Sequence, residues 1–234
     1  GVWEAVSDNL LAPGEAALIP ATGHFSEQWS LLLEATGRRA IRTPYRAGYP
    51  VDPATVEEAL RADTKREIVA VFVVHTDTAS GITHDIAGIR AAIDAAGHPA
   101  LLVADVIASL AAAPFAMDEL GVNVAVGASQ KGLMSPPGFG FVAVDARAAA
   151  VEARNKAPRY YWDWKRRRGP YSYTKFCGTP PQNLLYGIEA ALALVEREGI
   201  DTIIARHALH ARAVHAAVER WASGGALRLH CRVP

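Results

Sequence analysis

Seven consecutive apolar residues, Ile68 to Val74, run straight into a polar turn, His75-Thr76-Asp77-Thr78-Ala79-Ser80-Gly81. A strand that alternates apolar and polar residues can leave one face wet. An unbroken apolar strand must be covered on both faces, which calls for a sheet sandwiched between helices. Shorter candidate strands at Ala16 to Ile19, Ala40 to Thr43, Ala100 to Asp105, Val122 to Gly127 and Phe139 to Val144 alternate with segments of helical periodicity, the pattern of β/α units. Residues 2 to 11 place Val2, Val6, Leu10 and Leu11 at helical spacing, and Pro13-Gly14 ends that segment as a turn. Ser26 is expected to cap a helix running through Glu34. Asp85 is expected to cap another from Ile86 to Ala96, with Ile86, Ile89 and Ile93 as its apolar stripe. Two further helices are expected over about 182 to 198 and 201 to 221. The expected fold class is therefore α/β, with a mainly parallel central sheet flanked by helices.

Bulk properties narrow the function. Half of the 234 residues are apolar and 21% are charged, a balance that supports a buried core. Lys plus Arg equals Asp plus Glu at 24 each, so no net field favours a nucleic acid or a membrane surface as partner. The basic run Lys165 to Arg168 reads as a solvated loop. His207, His210 and His215 read as one polar face of a helix rather than a metal site. Cys177 and Cys231 lack the CxxC or Cys/His spacing of a metal site and fit a reducing cytoplasm. No stretch approaches the ~20 apolar residues of a membrane span, and no G-x-G-x-x-G or G-x-x-x-x-G-K-[ST] motif suggests a nucleotide. The chain opens in a helical pattern without an initiator Met and stops just after an apparent strand. The expectation is the large central part of a longer protein.

Polar groups fall at the ends of three candidate strands: Thr78 after the first, Asp105 and Ser109 at the second, Gln130 and Lys131 after the third. Open α/β sheets bind ligands beyond the carboxyl ends of their strands, so these residues converge on the expected site. Taken singly, Asp105 could be a helix cap, Lys131 a surface lysine and Thr78 a turn former. Together they suit one chemistry. A free lysine with a pKa of ~10.4 is neutral in roughly one molecule in 2,500 at pH 7, so it serves as a nucleophile when an aldehyde cofactor traps it. Pyridoxal phosphate is such an aldehyde, and a buried carboxylate keeps its ring nitrogen protonated. Asp105 is the candidate carboxylate, Thr78 the candidate partner of the phenolic oxygen, and Phe25, on the loop after an earlier strand, a candidate for stacking on the ring.

The order of Asp105, Ser109, Gly127-Ala128-Ser129-Gln130-Lys131-Gly132 and Pro136-Pro137-Gly138, with Lys131 following Asp105 by 26 positions, resembles the class V aminotransferases of fold type I. Within them it is most similar to the serine-, alanine- and aspartate-glyoxylate branch, over essentially the whole chain. The resemblance implies pyridoxal 5'-phosphate as cofactor, Lys131 as Schiff-base lysine and proton shuttle, and Asp105 as partner of the ring nitrogen. It implies Thr78 at the phenolic oxygen, Gln130 at the phosphate, and Ser109 among the cofactor-binding residues. Thr179, in Gly178-Thr179-Pro180-Pro181, matches a threonine that reaches the neighbouring subunit's phosphate site, which implies a homodimer with shared active sites. The implied reaction is a ping-pong transfer of an amino group from serine, alanine or aspartate to glyoxylate or a related 2-oxo acid. Phe25 stands where some members have tryptophan, and Phe176 where a tyrosine is expected. The family's phosphate loop would lie just before Gly1, and its substrate-carboxylate arginine beyond Pro234. The corresponding domain expectation is a cofactor-binding large domain over 1–221 and the start of a small domain over 222–234. Two alternatives stay open: a cysteine desulfurase-like lyase, for which Cys177 is the nearest cysteine, and an inactive truncated α/β module.

Overall fold

A computed structural model describes residues 1–225 and 227–233. The chain opens with helix α1 (Val2–Leu10), strand β1 (Ala16–Ile19), helix α2 (His24–Ala35), strand β2 (Arg39–Arg42) and helix α3 (Pro53–Ala62). The long apolar strand β3 (Ile68–Val74) follows, then a small hairpin of β4 (Thr76–Asp77) and β5 (Ile82–Thr83), helix α4 (Ile86–Ala95) and strand β6 (Leu101–Asp105). Strands β7 (Val124–Ala128) and β8 (Gly140–Val144) lead to α5 (Ala146–Arg154), the short turns α6 (Trp164–Arg167) and α7 (Ser172–Phe176), and the long α8 (Gln182–Glu198) and α9 (Ile200–Ala222).

Six strands form one sheet in the order β2-β1-β3-β6-β7-β8. All neighbours run parallel except β7 and β8, which are antiparallel. β3 lies inside this sheet, and its side chains divide between two cores as a doubly covered strand requires. Val71 and Val73 pack on one face with Leu60 of α3 and Ile89 and Ile93 of α4. Phe72 and Val74 pack on the other with Val6 and Leu10 of α1 and Trp29 and Leu33 of α2. Fully burying a side chain such as Phe72 contributes about 1.5–3 kcal/mol, so the sheet's centre is held from both sides.

Four details correct the sequence reading. α2 begins at His24, not after Ser26: Gly23 takes the cap position, and the Ser26 hydroxyl reaches back to accept from the Gly23 and Thr22 backbone N–H groups at 3.1 and 3.0 Å. Phe25 therefore sits in the first helical turn rather than on a loop. β2 spans 39–42, leaving Thr43 outside the strand with its hydroxyl accepting from Ala21 N–H at 3.0 Å. β7 starts at Val124, because Asn123 is occupied as a cross-link, accepting from Leu102 N–H and donating to Asp145. α9 closes at Ala222. Of the segment expected to open a small domain, Ala226 and Pro234 lie outside the described residues.

Candidate active site

Parallel pairing brings the polar strand ends to one edge. Val74 at the end of β3 is in register with Asp105 at the end of β6, and Asp105 with Val126 of β7. Beyond that edge lies a cavity of about 290 Å³ whose walls include Trp3, Phe25, Thr78, Asp105, Gln130 and Lys131. A larger hollow of about 680 Å³ next to it shares Gln130 and Ile107, and is lined mainly by aromatic and small residues, among them Tyr161, Trp162, Trp164 and Phe176. Of the two, only the smaller cavity is lined by both an acid and Lys131.

Asp105 is 4% exposed. Its Oδ1 accepts from the Ile107 backbone N–H at 2.7 Å and its Oδ2 from the Trp3 indole N–H at 2.5 Å. Burial pushes its pKa up to about 6 and the nearby charge of Asp77 adds to that, while the two hydrogen bonds pull the other way. Trp3 is itself fixed in an aromatic column: it stacks on Trp29 at 5.1 Å and 6°, Trp29 packs on Phe72, and the edge of Phe25 meets Trp3 at 6.2 Å and 78°.

Lys131 lies three residues past β7 on an exposed loop. The loop is tied at its base: Ser129 donates its hydroxyl to Pro136 O at 2.7 Å, and Ser135 N–H bonds Ser129 O at 3.0 Å. Gly132 is required here by proximity rather than by backbone angle, since a Cβ would stand 2.2 Å from the Leu110 carbonyl oxygen. The backbone around Lys131 is thus pressed against the chain that follows Asp105, while the side chain reaches the cavity.

Thr78 is exposed and lines the cavity. Ser109 does not: it is buried, its hydroxyl 2.9 Å from Nδ1 of His75, whose own pKa burial holds below the ordinary imidazole value. Thr179 is exposed just before α8, beside Pro180 and Pro181, and does not line this chain's cavity. Neither cysteine lines the cavity, which leaves the lyase alternative without a thiol there. Sequence reasoning passed over Trp3 and Asp77. Asp77 had a visible signal, an acid between two threonines at a strand end, whereas Trp3 had only its place in the first turn of a helix.

Residues 2–226 match the family model described as aminotransferase class-V. The serine-glyoxylate aminotransferase of Methylorubrum extorquens is 40% identical over 228 residues, covering 94% of this chain and 56% of that protein. The L-aspartate-glyoxylate aminotransferase of Paracoccus denitrificans is 38% identical over 223 residues, with 94% and 56% covered. Among solved structures, the alanine-glyoxylate aminotransferase of Nostoc sp. superimposes with a TM-score of 0.80 at 26% identity, covering 93% of this chain and 57% of that one. The chain thus spans a little over half the length of the relatives it matches.

Proposed function

Because the chain belongs to the class-V aminotransferase family, we propose that it forms the cofactor-binding part of a pyridoxal 5'-phosphate-dependent enzyme. That enzyme passes an amino group from serine, alanine or aspartate to glyoxylate or a related 2-oxo acid in two half-reactions. One observation carries the reading: a buried carboxylate, Asp105, and an amine, Lys131, line the same cavity as a flat ring, Phe25, and a hydroxyl, Thr78. That set of groups fits pyridoxal phosphate by the chemistry of each. Lys131 would be the covalent anchor for the aldehyde, Asp105 would accept a hydrogen bond from the protonated ring nitrogen, Phe25 would lie on the ring, Thr78 would bond the phenolic oxygen and Gln130 the phosphate. Thr179 serves the partner subunit of a homodimer, and Ser109 supports Asp105's loop from behind through His75. When bound, the cofactor supplies an electron sink for the pair left behind as an amino acid loses its Cα proton.

The chain's own residues do the rest. Asp105 keeps lone pairs free on both oxygens after accepting from Trp3 and Ile107, so it can take one further donor. A cation there offsets the desolvation that holds the acid near 6 and favours its ionised form. The proton that ionised Asp105 would hold at the ring nitrogen is worth most in the transition state, where electron density grows on that side of the cavity. Lys131 Nζ, when not bonded to the cofactor, would be the base that takes the Cα proton. Its exposed loop leaves the side chain room to depart and return.

No helix among the described residues is long and apolar enough to cross a membrane. Both cysteines are free, which accords with a reducing cytoplasm. Residues 1–221 form the large domain in this reading, and 222–234 begin the small one. The test is a pair of half-reactions on purified protein loaded with pyridoxal phosphate. Serine, alanine or aspartate, added singly, is expected to bleach the visible band and release its oxo acid, and glyoxylate or pyruvate to restore the band. A band that no donor changes would reject the transaminase reading.

A further inference from the structure

Beneath the cavity, without lining it, lies a second carboxylate. Asp77 ends β4 and has no exposed surface. Its Oδ2 accepts from the Phe25 backbone N–H at 3.0 Å and the Thr22 hydroxyl at 3.2 Å, and its Oδ1 from the Ala79 backbone N–H at 3.0 Å. Gly23 packs against it so closely that a Cβ there would stand 3.0 Å from Oδ2. Among the described residues no Lys or Arg forms an ion pair with it.

A buried carboxylate without a counter-cation is costly, and a neutral asparagine or threonine would serve as a helix cap. What the carboxylate adds is reach to two segments at once. Phe25 N–H is one of the orphan donors of the first turn of α2, and Ala79 N–H belongs to the turn that carries Thr78. Phe25 and Thr78 both line the 290 Å³ cavity.

We propose that Asp77 is a positioning residue, whose carboxylate clamps the Phe25 turn of α2 to the Thr78 turn so that the stacking ring and the hydroxyl donor keep a fixed relation across the cavity. The proposal rests on the reading of that cavity as a pyridoxal phosphate site. Its charge has a second effect in the same direction: it disfavours ionisation of Asp105, so the two acids together favour a cation beside Asp105.

The test compares Asp77→Asn with the parent protein, first without cofactor, by amide hydrogen exchange, then with pyridoxal phosphate, by binding titration and visible circular dichroism. Asparagine keeps the size and one acceptor but turns the other oxygen into a donor facing an N–H. Exchange at residues 22–26 and 78–80 is expected to accelerate together, and cofactor affinity to fall about tenfold with a weaker dichroic band, while thermal unfolding stays cooperative. Parent-like exchange in either segment, or parent-like affinity and dichroism, overturns the clamp. Should Asp77→Asn fail to fold, Thr22→Val decides, since it removes one donor and keeps the shape. Joint acceleration of about threefold supports the clamp and no change overturns it. A parent protein that binds no pyridoxal phosphate sinks the functional reading instead, and the exchange of the two segments still decides whether the clamp exists.

Discussion

Asp105 ends a central strand, is 4% exposed and has both carboxylate oxygens engaged, one by the Ile107 N–H two residues on and one by the distant Trp3 indole, whereas Lys131 extends an exposed side chain from a loop held through its backbone and the Ser129 hydroxyl. One wall of the cavity thus holds a charge in place and deprives it of water. The other offers an amine with room to swing. The difference follows from what each group must do in the proposed reaction: an acid that tunes a ring has to stay put, while an amine that is displaced and then returns as a base has to move. It also follows from where the residues lie, since β6 is covered on both faces and the loop after β7 is not.

Breaking the exposed wall should have the largest effect. Lys131→Arg keeps the positive charge but removes the primary amine, so covalent attachment of the cofactor is lost and transamination falls by roughly 10³-fold or more, as measured by single-turnover kinetics with added pyridoxal phosphate. Retained turnover would mean that another amine does the work.

Changing the fixed wall should cost less activity and reveal itself in stability. Asp105→Asn is expected to lower kcat/KM by roughly 10²-fold with a smaller loss of cofactor affinity. The pH dependence has a definite sign. The folded-state pKa of Asp105, about 6, lies above the ordinary carboxylate value of 3.8, so the folded state binds the proton more tightly. Stability from this group is therefore fullest below that ordinary value, declines as pH rises to about 6, and is flat above, for a total on the order of 3 kcal/mol. Denaturant titrations of cofactor-free protein should show this decline in the parent relative to Asp105→Asn. Parallel curves would mean that the acid is better solvated than its position implies.

The smallest expected effect sharpens the comparison within the fixed wall. Trp3→Phe keeps the stack on Trp29 and removes the N–H that donates to Asp105 Oδ2. The carboxyl should become harder to ionise, and cofactor affinity should fall by about three- to tenfold in a binding titration. Unchanged affinity would show that the indole yields its place when the ring nitrogen arrives.

Local chemistry made much of this legible. β1, β3 and α8 occupy the residues that apolar runs and helical spacing indicate, and Asp85 caps α4 by accepting from Gly88 N–H. The placement of Thr78, Asp105 and Lys131 around one cavity follows from parallel strands carrying polar residues at their ends. What stayed hidden depends on contacts distant in sequence. Trp3 and Asp105 are 102 positions apart, and the Phe25–Asp77 bond that anchors the early start of α2 spans 52. Ser109 falls at the right distance from Asp105 to suggest the cavity, yet the β6 loop turns its hydroxyl inward to His75. α3 and the β4–β5 hairpin escaped notice because one has a weak apolar stripe, with only Val56 and Leu60 buried, and the other is two residues per strand.

The central claim is that the amine at the exposed wall carries the cofactor while the acid at the buried wall tunes it. Borohydride reduction of the pyridoxal phosphate-loaded protein, followed by peptide mapping, tests it most directly. A single pyridoxyl group on Lys131 is the predicted result. Modification spread over surface lysines, or fixed at a lysine other than Lys131, would contradict it.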